Sequence, residues 1–254
     1  MEKGDTRFDE EALARAAEIL RGARRAVAFT GAGISVESGI PPFRGPDGLW
    51  SRVDPSLLDI DRFRAAPGEC WPLIRDLFYG HFRDARPNAA HEALARMERA
   101  GALAGVITQN IDDLHRRAGS RRVIELHGNS RQLVCPACGA RFPAGEELLE
   151  RLPPRCARCG DVLKPDFVFF GEPLPDGAMA AALAETREAD AWLVVGTTGE
   201  IHPAGSLPDL ACSHGARIVE VNLEPTRYTG TVTDVFLGGP AGTVVPALVA
   251  AIQS

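Results

Sequence analysis

Four cysteines, set as the pairs Cys135/Cys138 and Cys156/Cys159, constrain this 254-residue chain more than any other feature. Each Cys-x2-Cys pair is a knuckle able to supply one edge of a thiolate tetrahedron around Zn²⁺. Two redox pairs and an iron–sulfur site are competing readings of the same spacing. The glycine that follows each knuckle, Gly139 and Gly160, favours the tight turns of a zinc site. Four thiolates leave no coordination position open for chemistry, so the metal is expected to be structural. The two other cysteines, Cys70 and Cys212, read as small buried hydrophobes. The stretch from about 130 to 164 therefore reads as a small module set into something larger.

The larger part shows the rhythm of an α/β protein. Residues Ala26–Thr30 read as a short buried strand running into Gly31-Ala32-Gly33-Ile34-Ser35, a small-residue turn able to lead into a helix. Short apolar runs recur at Gly105–Thr108, Val123–Leu126, Ala191–Val195 and Ala216–Val221, separated by helical stretches such as Ala89–Glu98. An opening helix is expected over Glu10–Arg21, with Leu13, Ala16, Ala17 and Leu20 on one face and Gly22 at its end. This alternation predicts an open parallel sheet with helices on both faces. The segment from Ile40 to about Asn88 is too irregular for one such unit, and reads as a ligand-covering loop followed by short helices.

Glycines after a strand let backbone N–H groups approach a pyrophosphate at a helix N-terminus. The turn at Gly31 is neither a Walker loop nor a complete Gly-x-Gly-x-x-Gly, so a dinucleotide site and a merely tight turn both remain open at this point. His127 follows a predicted strand, and Gly128 would leave room for a substrate beside its ring. Gln109-Asn110-Ile111-Asp112 also stands just past a strand end. Parallel sheets place their ligand sites at those carboxyl ends, so Ser35, Asn110 and His127 are expected in one cleft. His81, His91, His115, His202 and His214 read as structural.

Charge and hydropathy narrow the function further. Lys and Arg number 28 against 34 Asp and Glu, a net charge of −6 that argues against sequence-independent nucleic-acid binding. The cysteine module also lacks an aromatic stacking face, which leaves nucleic acid a minor reading. No apolar run reaches the length of a membrane span, and the stretch Met1–Leu20 is charged throughout. Neither a span nor a secretory signal is read, and a cytoplasmic address is expected.

In order and spacing, Gly31-Ala-Gly-Ile-Ser35, Ser38-Gly-Ile-Pro41, Phe43-Arg44-Gly45, Gly48-Leu-Trp50, Thr108-Gln-Asn-Ile-Asp112, Leu126-His-Gly-Asn129, the four cysteines, Val168-Phe-Phe-Gly-Glu172, Gly196-Thr197 and Val221-Asn-Leu-Glu224 form one set. The chain resembles the sirtuins, NAD-dependent protein-lysine deacylases, with a bacterial-type catalytic core. The resemblance implies a Rossmann-type NAD-binding domain built from residues 1–39, 89–129 and 165–254. A cofactor-binding loop and helical insertion over 40–88 and a zinc module over 130–164 would make the smaller zinc-ribbon and helical domain. NAD, consumed as a co-substrate, and an acyl-lysine protein or peptide would enter the cleft between them from opposite sides.

Position by position, the resemblance implies that Gly31, Ala32 and Ser35 cradle the NAD phosphates, with Arg44 assisting and Phe43 shielding the reacting ribose. Gln109, Asn110 and Asp112 would serve the ribose and nicotinamide; Gly196, Thr197, Thr198, Asn222, Leu223 and Glu224 would take the adenosine half. Val168, Phe169, Phe170, Gly171 and Glu172 would pair with the substrate backbone as an added strand. Nicotinamide would leave, the acyl oxygen would capture the ribose carbon, and His127 would act as general base on a ribose hydroxyl, moving the acyl group to ADP-ribose. Imidazole suits that role because its ordinary pKa of about 6.5 keeps it largely neutral at cellular pH.

Three features depart from the family pattern. Pro42 stands where many sirtuins have Asp, and Gly199-Glu200-Ile201-His202-Pro203 replaces an apolar run ending in Tyr-Pro. Sirtuins that remove acidic acyl groups resemble one another in a Tyr-x-x-Arg pair, whereas the residue three after Tyr79 is Phe82, with Arg83 one place later. Acetyl-lysine is therefore expected over succinyl- or malonyl-lysine. The competing functions are NAD glycohydrolysis, ADP-ribosyl transfer, removal of acidic acyl groups, and NAD sensing without turnover.

Overall fold

The computed structural model describes residues 9–42, 48–51, 53–81 and 84–254, without the side chains of Trp50 and His81. Its first helix, α1 (Glu10–Gly22), starts where the side chain of Asp9 accepts the N–H groups of Glu11 and Ala12, and buries Ala16, Ala17 and Leu20. Strand β1 (Ala26–Thr30) follows and is buried along its whole length. After the irregular segment come α2 (Ile60–Ala65), α3 (Pro67–Ile74) and a π-helical stretch, Arg75–His81. The chain then alternates: α4 (Ala89–Arg99), β2 (Val106–Thr108), α5 (Leu114–Arg117) and β3 (Val123–Glu125). The cysteine module holds β4 (Gly128–Val134), β5 (Arg141–Pro143), α6 (Glu146–Leu149) and β6 (Lys164–Phe167). The last third runs through α7 (Asp176–Glu188), β7 (Ala191–Val195), α8 (Leu207–Ser213), β8 (Arg217–Asn222), β9 (Val235–Gly238) and α9 (Ala241–Gln253).

Six strands form one parallel sheet in the order β3-β2-β1-β7-β8-β9. Counted among themselves these are strands 3-2-1-4-5-6, the doubly wound Rossmann arrangement. Alternation along each strand divides the core. Ala26, Ala28, Leu193 and Val195 pack with α1, α4 and α9, whereas Val27, Phe29, Trp192 and Val194 pack with Ala182 of α7 and with Leu207 and Ala211 of α8. The expected sheet with helices on both faces is thus present.

A second sheet, β5-β4-β6, is antiparallel. A third apolar cluster joins it to the irregular segment: Ile60, Phe63, Trp71, Ile74 and Phe78 pack with Leu133, Cys135, Cys156, Leu163, Phe167 and Phe169. The indole N–H of Trp71 donates to Leu163 O at 2.9 Å across that contact. Among the described residues no helix is long and apolar enough to cross a membrane.

Two local differences from the sequence reading bear on the site. The turn at Gly31 leads into a 3₁₀ helix, Ala32–Ser38, closed by Gly39 in the left-handed region (φ 84°). β9 and the antiparallel strands have no counterpart among the expected strands.

Candidate active site

The strand order reverses between β1 and β7, and a crevice forms past the carboxyl ends of the strands at such a switch point. There the two turns touch through their backbones. Gly31 N–H donates to Val195 O (3.0 Å) and Gly33 N–H to Gly196 O (2.9 Å). A Cβ on Gly33 would stand 2.7 Å from Gly196 Cα, and one on Gly31 would stand 2.7 Å from Gly196 O. These glycines are thus required first for backbone-to-backbone packing, whether or not a phosphate also approaches them.

Side chains from the neighbouring strand ends close the crevice. Asn110 Nδ2 donates to Gly31 O (3.0 Å) and to Ser35 Oγ (3.2 Å), and Ser35 Oγ–H donates to Asp112 Oδ2 (2.7 Å). Gln109 Nε2 donates to Thr197 Oγ1 (2.9 Å), and Asn222 Nδ2 to Thr197 O (2.9 Å). Burial pushes the Asp112 carboxyl above the ordinary carboxylate range, against the lowering effect of Ser35 and of the Leu114 N–H. Asn110 Oδ1 is buried with no partner among the described residues, an acceptor whose hydrogen bond is unmade. Thr198, Leu223 and Glu224 are exposed beyond the strand ends, and Ala32 is half-buried. Phe43 and Arg44 lie outside the described residues.

His127 stands between the two sheets, after β3 and before β4. Its Nδ1 lies 2.8 Å from Gln109 O. A carbonyl only accepts, so Nδ1 carries the proton and Nε2 keeps its lone pair. Burial lowers the imidazole pKa below its ordinary value, more than the Gln109 hydrogen bond raises it. Gly128 serves another purpose than the one read from sequence. It adopts φ 73°, and a Cβ there would collide with the Asp166 carbonyl, so its missing side chain admits β6 rather than a substrate.

The four cysteine Sγ atoms lie within 4.8 Å of one another, with Cys135–Cys159 at 3.4 Å and Cys138–Cys156 at 3.7 Å. A zinc tetrahedron with bonds of about 2.3 Å has edges of about 3.8 Å, so the set fits that ion. Both knuckles share one geometry: Gly139 N–H donates to Cys135 O and Gly160 N–H to Cys156 O, with φ 71° and 79° at the glycines.

In the Val168–Glu172 segment much of the backbone is already engaged. Val168 N–H donates to His127 O (2.9 Å), Phe170 N–H to Leu58 O (2.9 Å), and Phe170 O accepts from Ile60 (3.0 Å). Phe170 therefore pairs with the helical insertion through its backbone and exposes its ring, while Phe169 is buried. The Glu172 carboxylate accepts the Phe169 N–H (2.8 Å) and pairs with buried Lys164 (2.8 Å), which also lies 4.2 Å from the Phe169 ring centroid. Gly171 turns the chain at φ 86°. A groove of about 520 Å³ is lined by Gly128, Val168, Lys164 and Glu172 together with Phe63 and Arg64 of the helical insertion.

Two histidines read as structural belong to this region. His91 and His115 are fully buried with ring centroids 4.8 Å apart; His115 Nε2 is 2.8 Å from Thr30 Oγ1, and His91 Nε2 is 3.5 Å from Ser35 Oγ. Burial lowers the His91 pKa to about 4 and that of His115 well below 6.5, so both rings are neutral. The available signal was positional: His91 lies three residues after the helix-capping Asn88, and His115 three after Asp112. Among the departures, a Cβ on Gly199 would collide with the ring of buried Tyr228, which explains glycine there, and exposed His202 bonds Ser206 Oγ (2.7 Å).

A Rossmann-type parallel sheet joined to a four-cysteine zinc-ribbon module, with His127 where the two sheets meet, defines a class of nucleotide-dependent enzyme. The Sir2 family matches residues 31–203, and the chain belongs to that family. It is 50% identical over 228 residues to an NAD-dependent protein deacylase of Aeropyrum pernix, covering 89% of this chain and 92% of the relative. Among solved structures it is similar to a Sir2 homolog–NAD complex (40% identity, TM-score 0.86, 96% and 94% of the two chains). It is also similar to a Sir2 enzyme with deacetylated p53 peptide and 3′-O-acetyl ADP-ribose (34%, TM-score 0.88, 94% and 97%).

Proposed function

We infer that this chain is an NAD-dependent protein-lysine deacylase that transfers the acyl group to ADP-ribose and releases nicotinamide. The observation that carries the reading from family to chemistry is the His127 ring, whose Nδ1 is spent on Gln109 O and whose Nε2 is left as a proton acceptor at the junction of the two sheets. NAD, once bound, supplies the acyl acceptor and the leaving group. His127 Nε2 takes the proton of the attacking ribose hydroxyl, and Asn110, at the end of the neighbouring strand, orients the reacting end. Asn110 is the second residue assigned to catalysis.

The remaining assignments follow the crevice. Gly31, Ala32 and Ser35, with Phe43 and Arg44, serve the phosphates and ribose, and Gln109 and Asp112 the nicotinamide side. Gly196, Thr197, Thr198, Asn222, Leu223 and Glu224 serve the adenosine side. The peptide lies along Val168, Phe169, Phe170, Gly171 and Glu172; the engaged backbone of Phe170 leaves pairing to its neighbours. Zinc on Cys135, Cys138, Cys156 and Cys159 holds the module together. The division into 1–39, 89–129 and 165–254 against 40–88 and 130–164 is supported by the apolar clusters, two of which draw only on the first set. The third joins the other two segments and also takes in Ile111, Leu114, Phe167 and Phe169 of the first set.

Mass spectrometry of products from NAD and an acetyl-lysine peptide tests this function. O-acetyl-ADP-ribose and free lysine are expected. Free ADP-ribose with the acyl group still on the peptide would make the chain a glycohydrolase, and an ADP-ribosylated protein would make it a transferase of that group.

A further inference from the structure

Among the described residues, Asp113 alone combines a side chain with positive φ (65°). Left-handed backbone is uncommon for residues that carry a side chain, and Asp and Asn adopt it more readily than the rest when the side chain is held. Asp113 directly follows Asp112 and opens α5, so its backbone sets where the Asp112 carboxylate meets Ser35. Its carboxylate makes no capping bond within α5. It meets Arg131 instead, with Nη1 2.5 Å from Asp113 Oδ1.

The same guanidinium donates to both oxygens of Glu125, at 2.6 and 2.8 Å. Glu125 ends β3 two residues before His127, and Arg131 lies in β4 four residues before Cys135. Ser130, beside it, donates its N–H (3.0 Å) and its hydroxyl (2.8 Å) to Ile111 O. The carboxylates are largely shielded, with side-chain exposures of 18% and 12%, and a forked guanidinium can bridge both where an ammonium cannot.

We propose that Arg131 is a positioning residue for NAD binding: anchored in the zinc-module sheet, it clamps Asp113 in the left-handed conformation and so fixes Asp112 against Ser35. The proposal rests on the reading that Asp112 lines the NAD site. Glycine adopts the left-handed conformation without the clamp, so Asp113→Gly should make Arg131 dispensable for this purpose.

Titration calorimetry with NAD on the full zinc-loaded chain reads the test without requiring turnover. Arg131→Met is expected to weaken NAD binding about five- to tenfold, the scale of a left-handed residue released from its clamp. Asp113→Gly alone should stay within about twofold of the parent, and the double variant should return to within about twofold, a non-additivity expected of coupled residues. Should Arg131→Met not fold, Arg131→Lys supports the same comparison. A double variant as weak as the single, or a single variant like the parent, would overturn the proposal. A parent that binds NAD without deacylating would count against the function while leaving this comparison intact; a parent that binds no NAD would overturn both.

Discussion

Lys164→Met removes a buried cation from beneath the segment proposed to receive the peptide. Lys164 is 5% exposed, and its ammonium lies 2.8 Å from Glu172 Oε2, 2.6 Å from Phe167 O and 3.1 Å from Pro165 O. Burial lowers the Lys164 pKa, and the Glu172 pairing opposes that shift. Methionine fills similar space, so the loss is mainly electrostatic: Glu172 keeps the Phe169 N–H but loses its counter-charge, and two carbonyls lose a donor. Breaking a buried pair from one side costs about 3–5 kcal/mol. At about 2–4 °C per kcal/mol for a chain of this size, Tm should fall roughly 6–20 °C. Calorimetry measures that fall. Lys164→Met/Glu172→Gln should recover part of it, because the amide oxygen can still accept from Phe169. A single variant melting within about 2 °C of the parent would refute the claim that this pair holds the segment.

His127→Ala should retain the fold and NAD binding but lower deacylation by at least about 10²-fold; activity within a few-fold of the parent would remove His127 from the reaction. The neutral ring is the active form and burial lowers its pKa, so the acid limb of kcat/KM should lie below pH 6.5, with more than half of the plateau retained at that pH. A limb centred above pH 7 would contradict the burial argument. Cys135→Ser or Cys159→Ser should prevent stable folding, since structural zinc supplies about 10–16 kcal/mol of apparent binding energy; a folded, metal-free, active variant would count against the zinc assignment. Acetyl should exceed succinyl in kcat/KM on one peptide. An unpaired carboxylate in an apolar site is costly, and the Tyr79 hydroxyl, buried without a partner among the described residues, is a neutral donor whose pKa burial raises. Phe82 and Arg83 lie outside the described residues, and succinyl exceeding acetyl would point to Tyr79 with Arg83 as the carboxylate clamp.

The parallel sheet was legible because its strands are short apolar runs bounded by turns. Ala26–Thr30 and Ala191–Val195 appear residue for residue, the runs near 106 and 123 each lose one residue at an end, and the run near 217 slides by one residue at both ends. β9 is a four-residue stretch with only Val235 and Leu237 inward, too short to carry a period. The antiparallel strands around the cysteines share no burial pattern, β4 half-buried, β5 largely exposed and β6 largely buried, so pairing rather than hydrophobic pattern defines them. Within the site, strand ends announced Ser35, Asn110 and His127. The contact of His91 with His115 beside Ser35 depends on two helices meeting, which no local pattern encodes. The reason for Gly128 was equally hidden, since it lies in the backbone of Asp166, which only the pairing of β4 with β6 brings alongside.

The most direct measurement is nicotinamide release from NAD, followed with and without an acetyl-lysine peptide and compared with the amount of lysine freed. The account predicts one nicotinamide per lysine, and release near background when the peptide is unacylated or absent. Peptide-independent release, or lysine freed without nicotinamide, would contradict it.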